Sequence, residues 1–271
     1  MNAVRRHPVV TMFVLVYALT WVVWLPRAAG ADLGLLARGW TWAPAVAALA
    51  AAALTGGKRA VREWASRLVR WRVAWFWYVI VILGPAAFSL LVASCYALIG
   101  GSFTEALPWL KSPLVLLPLF LIILTATDGY GEEPAWRGFA LPRLLERHGT
   151  FIASLIVGIL WALWHLPLLW TAGIDAQQLP WWLLILDVPA KSLFFTLVFQ
   201  RTNGSVLIAA IFHGATNLFT VSPAYWTSQD WTLPVLATAA KWVLLLVIWL
   251  AARWHGRVFR SSRAAQLPPR D

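Results

Sequence analysis

The chain is predicted to be all-α: a polytopic membrane helical bundle of about eight transmembrane helices with both termini cytoplasmic. Three observations predict it. Of 271 residues, 61% are hydrophobic and only 12% charged, with a mean hydropathy of +0.70. An average soluble domain is about half apolar and about a quarter charged. The apolar residues gather into runs long enough to span a bilayer core, which takes about 20 residues per helix. The basic residues fall mainly in every second connection between those runs.

The first run, 9–26, follows Arg5 and Arg6 and precedes Ala28-Ala29-Gly30-Ala31, features shared with secretory signal peptides. Its apolar stretch is longer than a signal core, and Trp21 and Trp24 near one end suit an interfacial belt. It is read as a retained helix. The second run, 40–55, is short and Ala-rich; the third is 75–99. The fourth, 114–140, carries an acidic motif and is followed by runs at 150–170, 180–200, 204–221 and 232–252. Residues 1–256 are read as a single transmembrane helical domain whose motif-bearing core is 115–225. The basic tail 257–271, with Pro268-Pro269, is expected to be disordered and cytoplasmic. No internal repeat is evident.

Charge orients this arrangement. With the N-terminus inside, seventeen Lys and Arg residues fall in cytoplasmic segments, against three (Arg27, Arg38 and Lys111) on the opposite face. That bias supports an even number of spans and a multi-pass protein of the cell membrane. The formal net charge of +11 is therefore explained by an anionic membrane surface. No zinc knuckle and no glycine-rich phosphate loop is present, so nucleic acid is excluded as a partner. Cys95 is the single cysteine, which excludes an intramolecular disulfide and a thiolate metal cluster. Arg62–Arg72, interleaved with Trp64 and Trp71, reads either as a basic segment on the cytoplasmic membrane surface or as a solvated loop.

The chemistry-bearing residues stand out against this background. Charges at membrane depth cost several kcal/mol unless paired or hydrated, yet Glu132, Glu133 and Arg137 occur together in the fourth run. On a helix, Glu133 and Arg137 share a face and can pair, while Glu132 is turned about 100° away and needs another partner. Pro134 suits a first helical turn, and Gly129 and Gly131 before it suggest a break in the span. His165 lies near the end of the fifth run, one turn after Trp161. His213 and Asn217 share a face of the seventh. Ala210 and Gly214, like Gly158 and Ala162, have the small-xxx-small spacing of close helix approach. Asp187 and Lys191 are expected to neutralise each other, and Lys241 to snorkel or find a partner.

Depth constrains the assembly. His165 is about 22 Å along a helix that starts at Thr150, and His213 about 14 Å along one that starts at Gly204. Glu132 meets them only if the fourth span continues through the motif to Leu141–Leu145 and the acidic pair lies inside the membrane.

The ordered set Glu-Glu-x-x-x-Arg, aromatic-x-x-x-His and His-x-x-x-Asn resembles the CAAX-processing and bacteriocin-processing (Abi) family of intramembrane endopeptidases. The motifs run from Glu132 to Arg137, from Trp161 to His165 and from His213 to Asn217. The resemblance covers roughly 115–225. Trp161 and Trp136 stand where the family usually has Phe. The resemblance implies hydrolysis of a peptide bond in a membrane-associated peptide or protein. It assigns Glu132 with His165 to activate a water, His213 and Asn217 to stabilise the tetrahedral oxyanion, and the Glu133–Arg137 ion pair to hold the motif helix. Such roles are chemically sound: fixed oxyanion donors in a dry pocket contribute about 3–4 kcal/mol each. The family is often labelled a metalloprotease. Glu132, His165 and His213 could hold a divalent ion such as zinc with one open position, yet the His-Glu-x-x-His motif is absent. Metal-free and metal-assisted hydrolysis both remain open. Two other classes compete with the enzyme: a catalytically silent bacteriocin self-immunity or scaffolding protein, and a proton-coupled transporter. The transporter reading lacks the inverted repeat and paired half-helices of that class.

Overall fold

The computed structural model describes residues 2–34, 40–171, 180–220 and 231–254. The expected tail 257–271, and Arg38 on the outer face, lie outside them. Among the described residues all regular structure is helical. Eight principal helices follow one another: α1 (Pro8–Ala28), α2 (Ala43–Leu68), α3 (Phe76–Leu98) and α4 (Leu114–Leu145), then α5 (Thr150–Trp164), α6 (Trp181–Arg201), α7 (Val206–Leu218) and α8 (Thr232–Trp254). The polytopic bundle is thus borne out. Among the described residues six helices are long and apolar enough to cross a membrane: α1, α3, α4, α6, α8, and α5 with its extension to Trp170. α7 is apolar but only 13 residues long, and α2 is apolar in its first half alone.

α2 changes character at Gly57, whose φ of 61° interrupts the helical backbone. Before it, Ala47, Ala48, Ala51 and Ala52 are buried in the same core as Met12, Phe13 and Val16 of α1. Side chains this small let two helix backbones approach closely. Beyond it, the basic stretch continues as helix to Leu68 and does not simply lie on the surface. Trp64 turns inward, its indole N–H donating to the Pro134 carbonyl at 2.9 Å. Gly138 leaves room for that ring, because a Cβ there would lie 3.2 Å from the indole nitrogen. Trp71 and Trp75 stay exposed.

α4 corrects a second expectation. No break occurs at Gly129 or Gly131, and Pro134 sits inside the helix rather than in a first turn. The chain passes through two π-turns, Thr125–Gly129 and Trp136–Ala140, on either side of Tyr130–Ala135. Such turns take in an extra residue and absorb the mismatch that an interior proline imposes. The two glycines permit close docking instead. A Cβ on Gly129 would meet the Ala210 carbonyl oxygen at 2.4 Å, and one on Gly131 the Thr41 carbonyl oxygen at 2.4 Å. α4 therefore runs as one helix through the motif to Leu145, and the acidic pair lies within a helix that is long and apolar enough to cross a membrane.

α5 and α6 pack through their small residues, with Gly158 against Pro189 and Ser192, whose hydroxyl donates to the Ser154 carbonyl at 2.8 Å. Asp187 of α6 pairs with Lys191 at 3.0 Å, as expected, and also with Lys241 of α8 at 2.6 Å. Thr238 donates to the same carboxylate at 2.9 Å, so α8 is pinned to α6 by polar contacts. The turn from α6 to α7 is tight, with left-handed backbone at Asn203 and Gly204. Ser205 caps α7 by accepting from the Ile208 N–H at 3.1 Å, and its hydroxyl donates to the Arg70 carbonyl at 2.5 Å. The Arg70 guanidinium in turn donates to the Asn203 carbonyl.

Candidate active site

The site is assembled on α4, α5 and α7, with α6 behind it. Glu132 and Glu133 are both buried, and their side chains part as the helix geometry requires. The Glu133 Oε1 accepts from Arg137 Nη1 at 3.1 Å, one turn further along α4. The same oxygen accepts from His213 Nδ1 of α7 at 2.8 Å. Glu133 is therefore more than half of an ion pair: it also ties α7 to α4. Arg137 is fully buried, and its guanidinium lies 4.9 Å from the Trp161 ring and 4.4 Å from the Phe195 ring. Among the described residues its Nε and Nη2 have no hydrogen-bond partner, and the two neighbouring ring faces offer the compensating attraction.

Glu132 finds its partners among indoles. Its Oε2 accepts from Trp161 Nε1 at 2.7 Å and from Trp136 Nε1 at 3.1 Å. Its Oε1 faces His213 Nε2 at 3.9 Å, too far for a direct hydrogen bond. Two carboxylates and one guanidinium thus surround an imidazole that can carry a second positive charge between the acids.

His165 follows the end of α5, half-buried, with its Nδ1 at 2.9 Å from the Trp161 carbonyl. A carbonyl only accepts, so Nδ1 holds the proton and the neutral ring keeps a lone pair on Nε2. The ring stands edge-on to Trp164, with centroids 4.7 Å apart. Among the described residues no hydrogen bond joins His165 to Glu132. Trp161 links them, giving its indole N–H to the acid and its carbonyl to the imidazole. The Trp161 ring also lies 5.5 Å from that of His213. Asn217 lies at the exposed end, its Nδ2 donating to Asp128 Oδ2 at 2.8 Å.

Sequence reasoning passed over Asp128, noted Trp136 only as an aromatic in place of Phe, and passed over Phe195. The first two were within reach of it, since Asp128, Glu132 and Trp136 are spaced by four on one helix. Phe195 has no local signal, because its place beside Arg137 depends on how α6 docks.

Metal binding was tested on the donor set. Among the described residues, no three His, Cys, Asp or Glu side chains are placed to hold one ion. Glu132 Oε2 accepts two indole protons and each imidazole has its Nδ1 engaged, which leaves Oε1 and the two Nε2 atoms as donors, and these are not gathered around one point. Glu132, His165 and His213 do not fit a metal ion in this arrangement.

A polytopic helical membrane protein with acids, imidazoles and an arginine buried together among its spans is the class that fold and site define. Residues 113–219 match the model of the family described as type II CAAX prenyl endopeptidase Rce1-like. That segment holds every site residue named above, and the family read from the motifs is borne out over it. The chain is also 34% identical over 106 residues to a protein named CAAX prenyl protease 2, from Methanococcus maripaludis. The alignment takes in 37% of this chain and 38% of that relative, so the likeness spans well under half of either.

Proposed function

We propose that the chain is an intramembrane endopeptidase of the CAAX-protease type, embedded in the cell membrane with both termini cytoplasmic. It hydrolyses a peptide bond of a membrane-associated peptide or protein. The observation that carries this reading is the buried cluster in which Glu133 bonds both Arg137 and His213 beside Glu132, in the segment that matches the endopeptidase family. Charges kept at that depth without a task are rare.

The chemistry follows from the side chains. Glu132 holds Oε2 against two indoles and turns Oε1 toward His213, and a carboxylate held away from bulk water is a competent base. Together with His165 Nε2 it takes a proton from water as the oxygen attacks the scissile carbonyl. The carbonyl oxygen gains negative charge, which His213 Nε2–H and the Asn217 amide stabilise. The proton then passes to the leaving amine. Glu133 and Arg137 hold α4 and orient His213 through its Nδ1. Membrane burial keeps competing water away and strengthens each of these interactions.

The test is cleavage of a peptide library by the full chain reconstituted in vesicles. Glu132→Ala and His165→Ala should abolish turnover while the protein remains folded, and a chelator should leave the wild-type rate unchanged. Unchanged turnover in both variants overturns the role assignment. One observation favours a second reading, a non-catalytic immunity or scaffolding protein: Glu132 is closed off, with one oxygen held by two indoles. A cellular phenotype that persists in Glu132→Ala would decide for that reading.

A further inference from the structure

Asp128 has no part in the scheme above, yet it is a carboxylate in direct contact with one of its members. It lies in the π-turn Thr125–Gly129 of α4, half-buried, one helical turn before Glu132. Its Oδ2 accepts from Asn217 Nδ2 at 2.8 Å. The two rungs between α4 and α7 are Glu133 with His213 and Asp128 with Asn217. α4 advances five residues between them while α7 advances four. The π-turn, with its extra residue, carries Asp128 back toward the face that meets α7.

The packing beneath this rung is unusually close. A Cβ on Gly214 would lie 2.6 Å from Thr125 Oγ1 and 2.7 Å from the Thr125 backbone nitrogen. α7 thus rests on the π-turn itself. The Asp128–Asn217 bond lies at the exposed end of the site, where a hydrogen bond adds little to stability. Its effect is on orientation. An ionised carboxylate only accepts, so the amide must turn its nitrogen toward Asp128. One N–H is then committed to Asp128, and no acceptor among the described residues takes the second hydrogen of the same NH2 group. The opposite flip would leave the amide oxygen where an anion has to form.

We propose that Asp128 is a positioning residue: it fixes the Asn217 amide so that an N–H, and not its oxygen, meets the carbonyl oxygen of the substrate. The proposal rests on the endopeptidase reading and extends it to a residue outside the three motifs.

The experiment is steady-state cleavage by the full chain in vesicles, with wild type, Glu132→Ala, Asn217→Ala, Asp128→Ala, Asp128→Asn and the Asp128→Ala/Asn217→Ala double variant. Asn217→Ala should lower kcat by about 10²–10³-fold. Asp128→Ala should lower kcat by about 10–100-fold with KM nearly unchanged, the penalty of a misplaced donor. Asp128→Asn retains an accepting oxygen and should stay within about 10-fold of wild type. In the Asn217→Ala background, Asp128→Ala should have no further effect, because the two residues act as one unit. A full kcat in Asp128→Ala, or an equal loss in both backgrounds, overturns the positioning role alone when Glu132→Ala is inactive. Cleavage absent from the wild type overturns the endopeptidase reading and the positioning role with it, whereas cleavage unchanged in Glu132→Ala overturns the assignment of roles in this site, the positioning role included.

Discussion

Replacing Arg137 by methionine isolates the contribution of the buried charge network. The guanidinium is fully buried, bonds Glu133 at 3.1 Å and lies against the Trp161 and Phe195 rings. Methionine fills much of the space but leaves Glu133 with His213 as its single hydrogen-bond partner. Removing one member of a buried pair costs about 3–5 kcal/mol, because the other charge is left uncompensated. The lost ring contacts, about 0.5–2 kcal/mol each, overlap with that figure and do not simply add. At roughly 2–4 °C per kcal/mol for a chain of this size, the transition should fall by about 10 °C. The 20 tryptophans give a strong fluorescence signal for thermal unfolding in detergent. Adding Glu133→Gln removes the stranded charge and should restore most of the loss. An Arg137→Met variant within about 1 kcal/mol of wild type refutes the reasoning. So does a double variant no more stable than the single one.

Five further variants have expected outcomes in the same unfolding assay. Trp161→Phe keeps the ring beside Arg137 but deletes the indole donor at 2.7 Å from Glu132, and should cost about 1.5–3 kcal/mol; no loss would show that the carboxylate does not depend on it. Gly129→Ala drives a Cβ to 2.4 Å from the Ala210 carbonyl and should cost about 1–3 kcal/mol. Gly84→Ala, on α3 with nothing within 4 Å, should stabilise by about 0.5–1 kcal/mol; equal behaviour of the two glycines would contradict the packing described. Asp187→Leu strands both Lys191 and Lys241 and should cost about 3–5 kcal/mol. Lys241→Met leaves the Asp187–Lys191 pair in place and should cost less; the reverse order would refute the view that Asp187 is the centre of that cluster.

Much of the architecture was legible because the length of an apolar run is a direct reading of bilayer thickness. The eight runs correspond to the eight helices within a few residues, although α7 is short and α2 extends beyond its apolar half. The Glu133–Arg137 contact was legible because it is local, four residues apart on one helix. The small faces at Gly158 and Gly214 were legible for the same reason. What escaped the sequence was of two kinds. The π-turns of α4 have no compositional period, so Gly129, Gly131 and Pro134 looked like a break rather than a continuous helix docked closely on its neighbours. The contacts of Glu133 with His213, of Glu132 with Trp161 and of Asp128 with Asn217 join residues 29 to 89 positions apart, and only helix docking fixes them. Lys241 had an evident need for a partner, but nothing near it in the chain named Asp187.

The turn between α6 and α7 has a consequence for how deep the chemistry sits. α7 is held at its N-terminus by Ser205, which is fastened to the Arg70 backbone, while the Arg70 side chain grips Asn203. From Ser205 the imidazole of His213 hangs about 12 Å down a rigid helix. The level of that ring is therefore set by an anchorage at the basic end of the bundle, as a plumb line is set by its knot. Loosening the knot at Arg70 would raise or lower His213 against Glu133 without touching a single group in the site.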